Sequence, residues 1–317
     1  MSAETTMTTK PAAPYAGEMP AAESASLTRA ASAPGQSQLR RNLKRFLIGN
    51  KLNLAGLIIV VIFFILAIFG QALAPYDPYA QDITGSKLLP PSLAHPMGTD
   101  ELGRDLLSRV MTGTRISLQV AAVVLTFAVL FGTLVGSIAG YFGGIVDELL
   151  MRFTDMFLAF PALILAIAIA ASLGRELHWT MVALSTVFWP WYARLVRGQI
   201  LTIRERDFVT AGESIGLSGP QLLMKHILPN AVSVVIIQVT LDVGYAILAT
   251  SSLSFIGLGA QPPSPEWGTM MSTARNYFRE GWWYTTFPGL ALTLTVFAFN
   301  VLGDGLQDAL DPRSGRR

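Results

Sequence analysis

The sequence contains no cysteine among its 317 residues, so disulfide bonds and cysteine-based metal or redox chemistry are excluded. It has only three histidines, His95, His178 and His226, and no two of them lie at a spacing typical of metal ligands. We therefore expect no metal site and no other cofactor. Charged residues make up 14% of the chain, whereas soluble globular proteins have about 25%. With 51% hydrophobic residues, this composition indicates a membrane protein.

The sequence also lacks the short motifs of common enzymes. It has no Gly-x-x-x-x-Gly-Lys-Ser/Thr phosphate loop, no His-Glu-x-x-His zinc motif and no Gly-x-Ser-x-Gly nucleophile elbow. A net charge of +2 is too small to suggest nucleic acid as a partner. We predict that the chain is not an enzyme, has no catalytic residues, and is a conduit whose energy comes from another protein.

Long apolar runs dominate the chain after its first fifty residues. A membrane helix needs about 20 apolar residues to cross about 30 Å of hydrocarbon. Backbone groups inside lipid must be hydrogen-bonded within their own segment, and the runs do not alternate as barrel strands do, so helices are expected. The sequence therefore predicts an all-α membrane protein with six transmembrane helices, at 52–75, 116–140, 156–174, 178–193, 231–258 and 285–303.

The placement of lysine and arginine predicts that both termini are cytoplasmic. With that orientation, the cytoplasmic segments hold most of the 23 Lys and Arg residues. We expect four regions: a disordered cytoplasmic tail at 1–39, an N-terminal anchor helix and external segment at 40–115, a permease core domain of five transmembrane helices at 116–311, and a cytoplasmic tail at 312–317.

The cytoplasmic segment 194–230 is too long for a plain turn. Its pattern predicts two short helices with a break at 216–220, Ser218 as the cap of the second helix and Pro220 in its first turn. The Leu-Pro pair at 228–229 is expected to end that helix. From the pattern alone, the segment could be a solvated connector, or its first helix could insert into a groove of another protein.

This cytoplasmic segment resembles the EAA loop of permeases in ATP-binding-cassette (ABC) importers. Thr-Ala-Gly at 210–212 stands where the family has Glu-Ala-Ala, and Gly216 stands for the glycine that follows in the family pattern. His-Ile-Leu-Pro at 226–229 corresponds to the closing part of the pattern, which ends in Leu-Pro. The resemblance implies a cytoplasmic EAA-type coupling loop that contacts an ATPase subunit. The residues expected to make this ATPase-coupling contact are Asp207, Phe208, Val209, Ala211, Gly212, Glu213 and Gly216.

Four further motifs are similar to those of C-type permeases of the dipeptide/oligopeptide family. They are Pro-Tyr-Asp-Pro at 75–78, the run at 95–109, the run at 253–263, and Asn-Val-Leu-Gly-Asp-Gly-Leu at 300–306 with Asp-Pro at 311–312. The resemblance implies a multi-pass protein of a bacterial or archaeal inner membrane. Its expected partners are the lipid bilayer, a second homologous permease subunit, two ATPase (nucleotide-binding) subunits that hydrolyse ATP, and an external solute-binding protein. The cargo would be dipeptides or oligopeptides, with glutathione, D-amino-acid dipeptides and nickel chelates as alternatives.

Charged residues near the end of the external segment form a second candidate site. Asp100, Arg104, Asp105 and Arg109 are expected on one helical stretch, where they could form ion pairs on the helix surface. The alternative is an external gate or a contact for the solute-binding protein.

Asp242 is the one acid in the predicted fifth span. A charge at membrane depth costs about 2.5–3.5 kcal/mol on the mildest scale, so it should face the bundle or water. It could be a buried acid near the cytoplasmic mouth that bonds a neighbouring helix, or a pore-lining group that meets the amino terminus of a peptide. A single such acid gives little support to the rival hypothesis of a stand-alone secondary transporter, and six spans argue against a mere membrane-anchored scaffold.

Overall fold

The computed structural model describes residues 51–310, and their regular structure is helical apart from one β-bridge between Thr99 and Asp105. The predicted tails at 1–39 and 312–317 lie outside the described residues. In chain order the elements are α1 Lys51–Leu73, α2 Leu106–Phe142, α3 Gly144–Leu158, α4 Ala162–Leu173, α5 Leu177–Arg204, α6 Asp207–Ser214, α7 Gly219–Leu222, a π-helical turn Leu223–Ile227, α8 Leu228–Phe255, α9 Trp267–Ala274, a 3₁₀ turn Arg275–Tyr277, and α10 Trp282–Leu310.

Within the described residues, four helical stretches are long and apolar enough to cross a membrane: α1, α2, the continuous stretch Gly219–Phe255, and α10. A fifth is added if α3 and α4 together count as one span. The helix α5 is not among them, because His, Trp, Tyr, Pro and Arg residues interrupt its apolar sequence. The all-α membrane fold is confirmed, whereas the count of six spans stays a prediction.

The predicted third span at 156–174 is wrong as a single helix. The chain bends by 83° between α3 and α4. Pro161 directly precedes α4, has no N–H to donate, and disfavours helical geometry at the preceding residue. The 12 residues of α4 are about 18 Å long, which is too short to cross the hydrocarbon core.

The Leu-Pro pair at 228–229 does not end a helix, contrary to the sequence-based expectation. The chain passes from α7 through the π-helical turn directly into α8. Pro229 has no N–H to donate to the carbonyl of Lys225, and the wider turn is closed by Leu228 N–H, which donates to Leu223 O. The π-turn thus lets the helix continue past the proline into the membrane.

The most extensive helix contact joins α2 to α5 and depends on three glycines spaced by four residues. A Cβ at Gly132 would lie 2.5 Å from Tyr192 Cβ, and one at Gly140 would lie 3.0 Å from Arg197 O. A Cβ at Gly136 would collide with Ala193 O. Residues spaced by four share one helix face, so these glycines let the two backbones approach closely.

The helix α8 completes the core of the bundle, since it packs against α2, α5 and α10. The anchor helix α1 packs against α2 and α10. Gly70 on α1 allows this contact, because a Cβ there would lie 2.7 Å from Met111 O. The α2–α5 pair and α8 therefore hold the residues on which the candidate sites depend.

Gly136→Val should lower the free energy of unfolding by about 1–3 kcal/mol or more, because the new side chain needs space that the backbone of α5 occupies. Thermal unfolding of the detergent-solubilised protein, followed by size-exclusion chromatography, measures the change. The matched control is Gly198→Val on α5, where an added Cβ meets no atom within 4 Å. Equal losses of stability in the two variants would contradict the close packing of α2 and α5.

Candidate functional site

The short helix α6 presents an apolar face to its surroundings. Phe208 and Ile215 are 40% and 79% exposed, and Ala211 between them is also exposed. Spacings of three and four residues place these side chains on one face of the helix. Asp207 and Glu213 are exposed as well. We call the surface formed by Phe208, Ala211 and Ile215 the α6 surface.

Two of the predicted coupling residues lie on the opposite face of α6. Val209 is only 1% exposed, and Gly212 is buried. A Cβ at Gly212 would lie 2.7 Å from Leu222 Cδ2 and 3.3 Å from Leu217 Cδ1. The expectation that Val209 and Gly212 contact a partner is therefore corrected: they pack α6 against its own chain.

The predicted break at Gly216 is confirmed. Gly216 has a φ of +85°, in the left-handed region that glycine tolerates best. Its N–H donates to Glu213 O (3.0 Å), and the next N–H, of Leu217, donates to Gly212 O (3.1 Å). This pair of bonds is a Schellman motif and ends α6. Pro220 lies in the first turn of α7, as predicted.

Ion pairs join α3 to the C-terminal half of α5, shortly before α6. Arg197 donates from Nε and Nη2 to the two carboxylate oxygens of Asp147, at 2.5 and 2.6 Å. Arg194 Nη2 lies 2.6 Å from Asp155 Oδ1. Near the end of α5, Arg204 Nη1 donates to Tyr141 O (2.9 Å). The sequence analysis missed these contacts, because their partners are about 40 to 60 residues apart and no local spacing indicates them.

The charged residues of the external segment form a buried cluster rather than a row on a helix surface. Asp100 is fully buried, and its Oδ2 lies 2.6 Å from Arg104 Nε and 3.4 Å from Arg109 Nε. Arg104 Nη2 also donates to Glu101 (3.0 Å). The expected helical stretch is wrong, since α2 begins only at Leu106. The ion pairs form because a turn, not a helix, brings the groups together.

Glycine makes that turn possible. Gly103 has a φ of +73°, and a Cβ on it would collide with the backbone of Asp82. Asp82 in turn accepts hydrogen bonds from Ser86 Oγ (2.7 Å) and Gly85 N–H (3.0 Å), which hold the pKa of its carboxyl below the usual value. The external segment therefore has a defined structure built from its own side chains.

Asp105 and Arg109 connect this segment to the bundle. Asp105 is the N-cap of α2, where its carboxylate accepts bonds from Ser108 N–H (2.8 Å) and Ser108 Oγ (2.6 Å) and lies 2.9 Å from His95 Nδ1. Arg109 donates to Pro78 O at 3.0 Å and to Pro263 O at 3.4 Å. These buried contacts stabilise the fold, and a role as external gate or binding-protein contact stays a prediction.

Glu266 is a buried acid that the sequence analysis missed. It is fully buried as the N-cap of α9, where it accepts bonds from Gly268 N–H (3.0 Å), Thr269 N–H (2.8 Å) and Ser251 Oγ (3.1 Å). The following residue, Trp267, donates from Nε1 to Val110 O (3.1 Å) on α2. Glutamate is not a common N-cap residue, so no local pattern indicates this role.

Asp242 lies near the middle of α8 and bonds a neighbouring helix. Its Oδ2 accepts from Tyr192 Oη on α5 (2.7 Å), and its Oδ1 accepts from Gln238 Nε2 one turn earlier (3.0 Å). The expected contact with a neighbouring helix is present, and the expected position near the cytoplasmic mouth stays a prediction. Asp242 is half-buried and Tyr192 is fully buried.

A separate groove of about 550 Å³ lies between α2 and α8. Its walls are almost wholly apolar, and Asp242 is not part of them. The lining residues from α2 are Val129, Leu130, Thr133, Leu134, Ser137 and Ile138. Those from the π-helical turn are Leu223 and Met224, and those from α8 are Leu228, Ala231, Val232, Val235, Ile236, Val239 and Thr240.

Two family models match this sequence. The model described as "Binding-protein-dependent transport system inner membrane component" matches residues 132–316, which is more than half of the chain. The model described as "N-terminal TM domain of oligopeptide transport permease C" matches residues 37–91, which include α1.

Curated relatives match most of the chain. The Escherichia coli (strain K12) protein named "Probable D,D-dipeptide transport system permease protein DdpC" is 45% identical over 88% of this chain and 95% of its own. The dipeptide transport system permease protein DppC of Alkalihalophilus pseudofirmus is 43% identical over 83% of this chain and 86% of its own.

A solved structure shares the fold. A chain of the MetNI methionine ABC transporter in inward-facing conformations aligns with 62% of this chain and 93% of its own, with a TM-score of 0.50 and 18% identity. At that identity the likeness concerns the fold alone. The family model and the relatives carry the assignment: the chain belongs to the family of binding-protein-dependent transport system inner membrane components.

Proposed function

We propose that this chain is one of two permease subunits in an ABC importer that carries dipeptides inward across the inner membrane. Two ATPase subunits, a second homologous permease and an external solute-binding protein would complete the transporter. Membership of a binding-protein-dependent family supports the external partner and the ATPase. The names of the relatives, which are dipeptide permeases at 43–45% identity, support the cargo.

The α6 surface carries the coupling part of this proposal. It presents Phe208, Ala211 and Ile215 next to exposed charged groups, on a helix whose end is fixed by the Schellman motif at Gly216. A short helix with an exposed apolar face suits a groove on another protein. We infer that this groove belongs to an ATPase subunit.

The ion pairs of α5 suggest how motion would pass from the ATPase to the membrane. The helix α5 reaches from Leu177 to Arg204 and ends two residues before α6 begins. It is packed backbone-to-backbone on α2 and is ion-paired to α3. When ATP binding closes the ATPase dimer, a displaced α6 would move these helices together as a rigid body and switch the pore from inward-facing to outward-facing. Hydrolysis in the ATPase subunits would reset it.

D-amino-acid dipeptides are a second candidate cargo. The specific observation in their favour is the 45% identity to the Escherichia coli protein whose name refers to D,D-dipeptides. Oligopeptides are supported by the description of the family model that matches residues 37–91. Glutathione and nickel chelates have no comparable support among the relatives reported above.

The variant Ala211→Arg should abolish transport, because it would place an unpaired charge in the proposed ATPase contact. Burying such a charge is costly, so uptake should fall about tenfold or more at unchanged abundance in the membrane. The experiment measures uptake of radiolabelled L-Ala-L-Ala and D-Ala-D-Ala by cells expressing the whole transporter, together with co-purification of the ATPase subunits.

The matched control is Thr202→Arg, which adds the same side chain at an exposed position of α5 outside the α6 surface. It should retain most uptake. If Ala211→Arg keeps its ATPase subunits and normal uptake, α6 is only a connector. If the wild-type transporter imports neither dipeptide, the proposed cargo is wrong.

The orientation of the chain is part of the proposal: we expect both termini in the cytoplasm. The support is the excess of Lys and Arg in the segments assigned to that side. Fusions of a phosphatase reporter, active only outside the membrane, and of green fluorescent protein, fluorescent inside, are made at residue 30 and after residue 317. Both fusion sites should give fluorescence and no phosphatase activity. Phosphatase activity at either site would refute this orientation.

A further inference from the structure

We propose that Asp242, Gln238, Tyr192 and Tyr245 form a site between α5 and α8 that receives the protonated amino group of the cargo. This inference rests on the proposed function, because it assigns a part of the permease to one chemical feature of a dipeptide. Its ligand class is a compact primary ammonium group.

Asp242 lies inside the helical stretch Gly219–Phe255, which is long and apolar enough to cross a membrane. Counting from Leu228, Asp242 is the fifteenth of the 28 residues of α8. Counting from Leu177, Tyr192 is the sixteenth of the 28 residues of α5. The carboxylate and its hydroxyl partner therefore both lie near the midpoints of their helices. An ionisable residue within such an apolar helix indicates a functional site in membrane proteins.

The carboxylate of Asp242 has neutral donors but no cationic partner. Tyr192 Oη and Gln238 Nε2 each donate one hydrogen bond to it, at 2.7 and 3.0 Å. Among residues 51–310, no Lys, Arg or His lies within ion-pair distance of Asp242. A carboxylate has about four lone-pair positions, so two remain for a further donor. The site thus has an acceptor with the negative charge and the free lone pairs that an ammonium group needs.

A pair of aromatic rings, Tyr245 and Phe188, lies close to Asp242 along the bundle. Tyr245 follows Asp242 by three residues on the same face of α8 and is 45% exposed. Its ring lies 5.4 Å from that of Phe188 on α5, which is buried. An ammonium group is attracted both by a carboxylate and by the face of an aromatic ring. The half-buried Asp242 and the exposed Tyr245 leave this side of α8 open to an incoming group.

The arrangement is better suited to one bound cation than to a chain of proton carriers. The other charged residues of α2, Arg109 and Arg115, lie within its first ten residues, and those of α10, Asp304 and Asp308, lie within its last seven. A relay would need ionisable groups at successive depths. Along α2, α8 and α10, Asp242 has no such neighbour near the middle of its helix.

The test measures uptake by proteoliposomes that contain the complete transporter and a saturating amount of its binding protein. The two cargoes are L-Ala-L-Ala and N-acetyl-L-Ala-L-Ala, the second of which lacks the ammonium group. Asp242→Asn keeps the shape of the side chain and removes its charge. It should lower uptake of the free dipeptide about tenfold or more and leave uptake of the acetylated cargo unchanged. Since the binding protein is the same in both preparations, its own preference cancels when wild type and variant are compared.

Two variants serve as controls. Asp242→Glu keeps the charge and should restore most of the preference for the free dipeptide. Thr240→Val lies on the same helix, where the Thr240 hydroxyl bonds only its own helix backbone at Ile236 O, and should behave as wild type.

The outcomes separate this inference from the proposed function. If wild type imports the free dipeptide and Asp242→Asn imports it equally well, the ammonium site is refuted while the permease function stands. If Asp242→Asn loses both cargoes in equal proportion, Asp242 has a structural role or binds a cargo-independent cation, and the site is again refuted. If wild type imports no dipeptide, the proposed function itself fails.

Discussion

The close contact between α2 and α5 is the constraint on which the other features of the bundle depend. Three glycines, Gly132, Gly136 and Gly140, leave successive turns of one face of α2 without a side chain, so that the backbone of α5 lies directly against it there. The α5 residues that touch these glycines include Tyr192 and Arg197. Tyr192 bonds Asp242 on α8, and Arg197 bonds Asp147 on α3. One helix contact thus positions both Asp242 and the Arg197–Asp147 ion pair that precedes α6.

The two ends of α2 connect this contact to other parts of the chain. At the start of α2, Asp105 caps the helix and Arg109 bonds the carbonyls of Pro78 and Pro263, so the segment before α2 is attached to the bundle. At the other end, Tyr141 O accepts a bond from Arg204, at the end of α5. These hydrogen bonds join both ends of α2 to neighbouring segments and so favour movement of the helices as a unit. The proposed coupling through α6 requires such rigid-body movement.

Sequence reasoning predicted the features that are encoded locally and missed those that depend on distant residues. The long apolar runs indicated α1, α2, α8 and α10, and Gly216 indicated the end of α6. The bend at Pro161 is not predicted, because a proline near the start of an apolar run such as 156–174 is also compatible with a continuous helix. Asp100 to Arg109 have helix-like spacing, yet Gly103 at a positive φ makes a turn there.

The buried and exposed faces of α6 show a second limit of sequence reasoning. Eight residues are too few for a hydrophobic pattern to assign a buried face, so Val209 and Gly212 could not be told from Phe208 and Ala211. Only the packing of the following segment, with Leu217 and, in α7, Leu222 against Gly212, distinguishes them. The ion pair of Arg197 and Asp147 joins residues 50 positions apart and has no local signal at all.

The central claim is that the α6 surface contacts an ATPase subunit, and site-specific cross-linking tests it most directly. Because the chain has no cysteine, a single introduced cysteine is a unique label. A photoactivatable thiol cross-linker is placed at Ala211→Cys or at the buried Val209→Cys in membranes that contain the assembled transporter. The account predicts a covalent product with the ATPase subunit from position 211 and little or none from position 209. The absence of a product from position 211, or equal products from both positions, would contradict it.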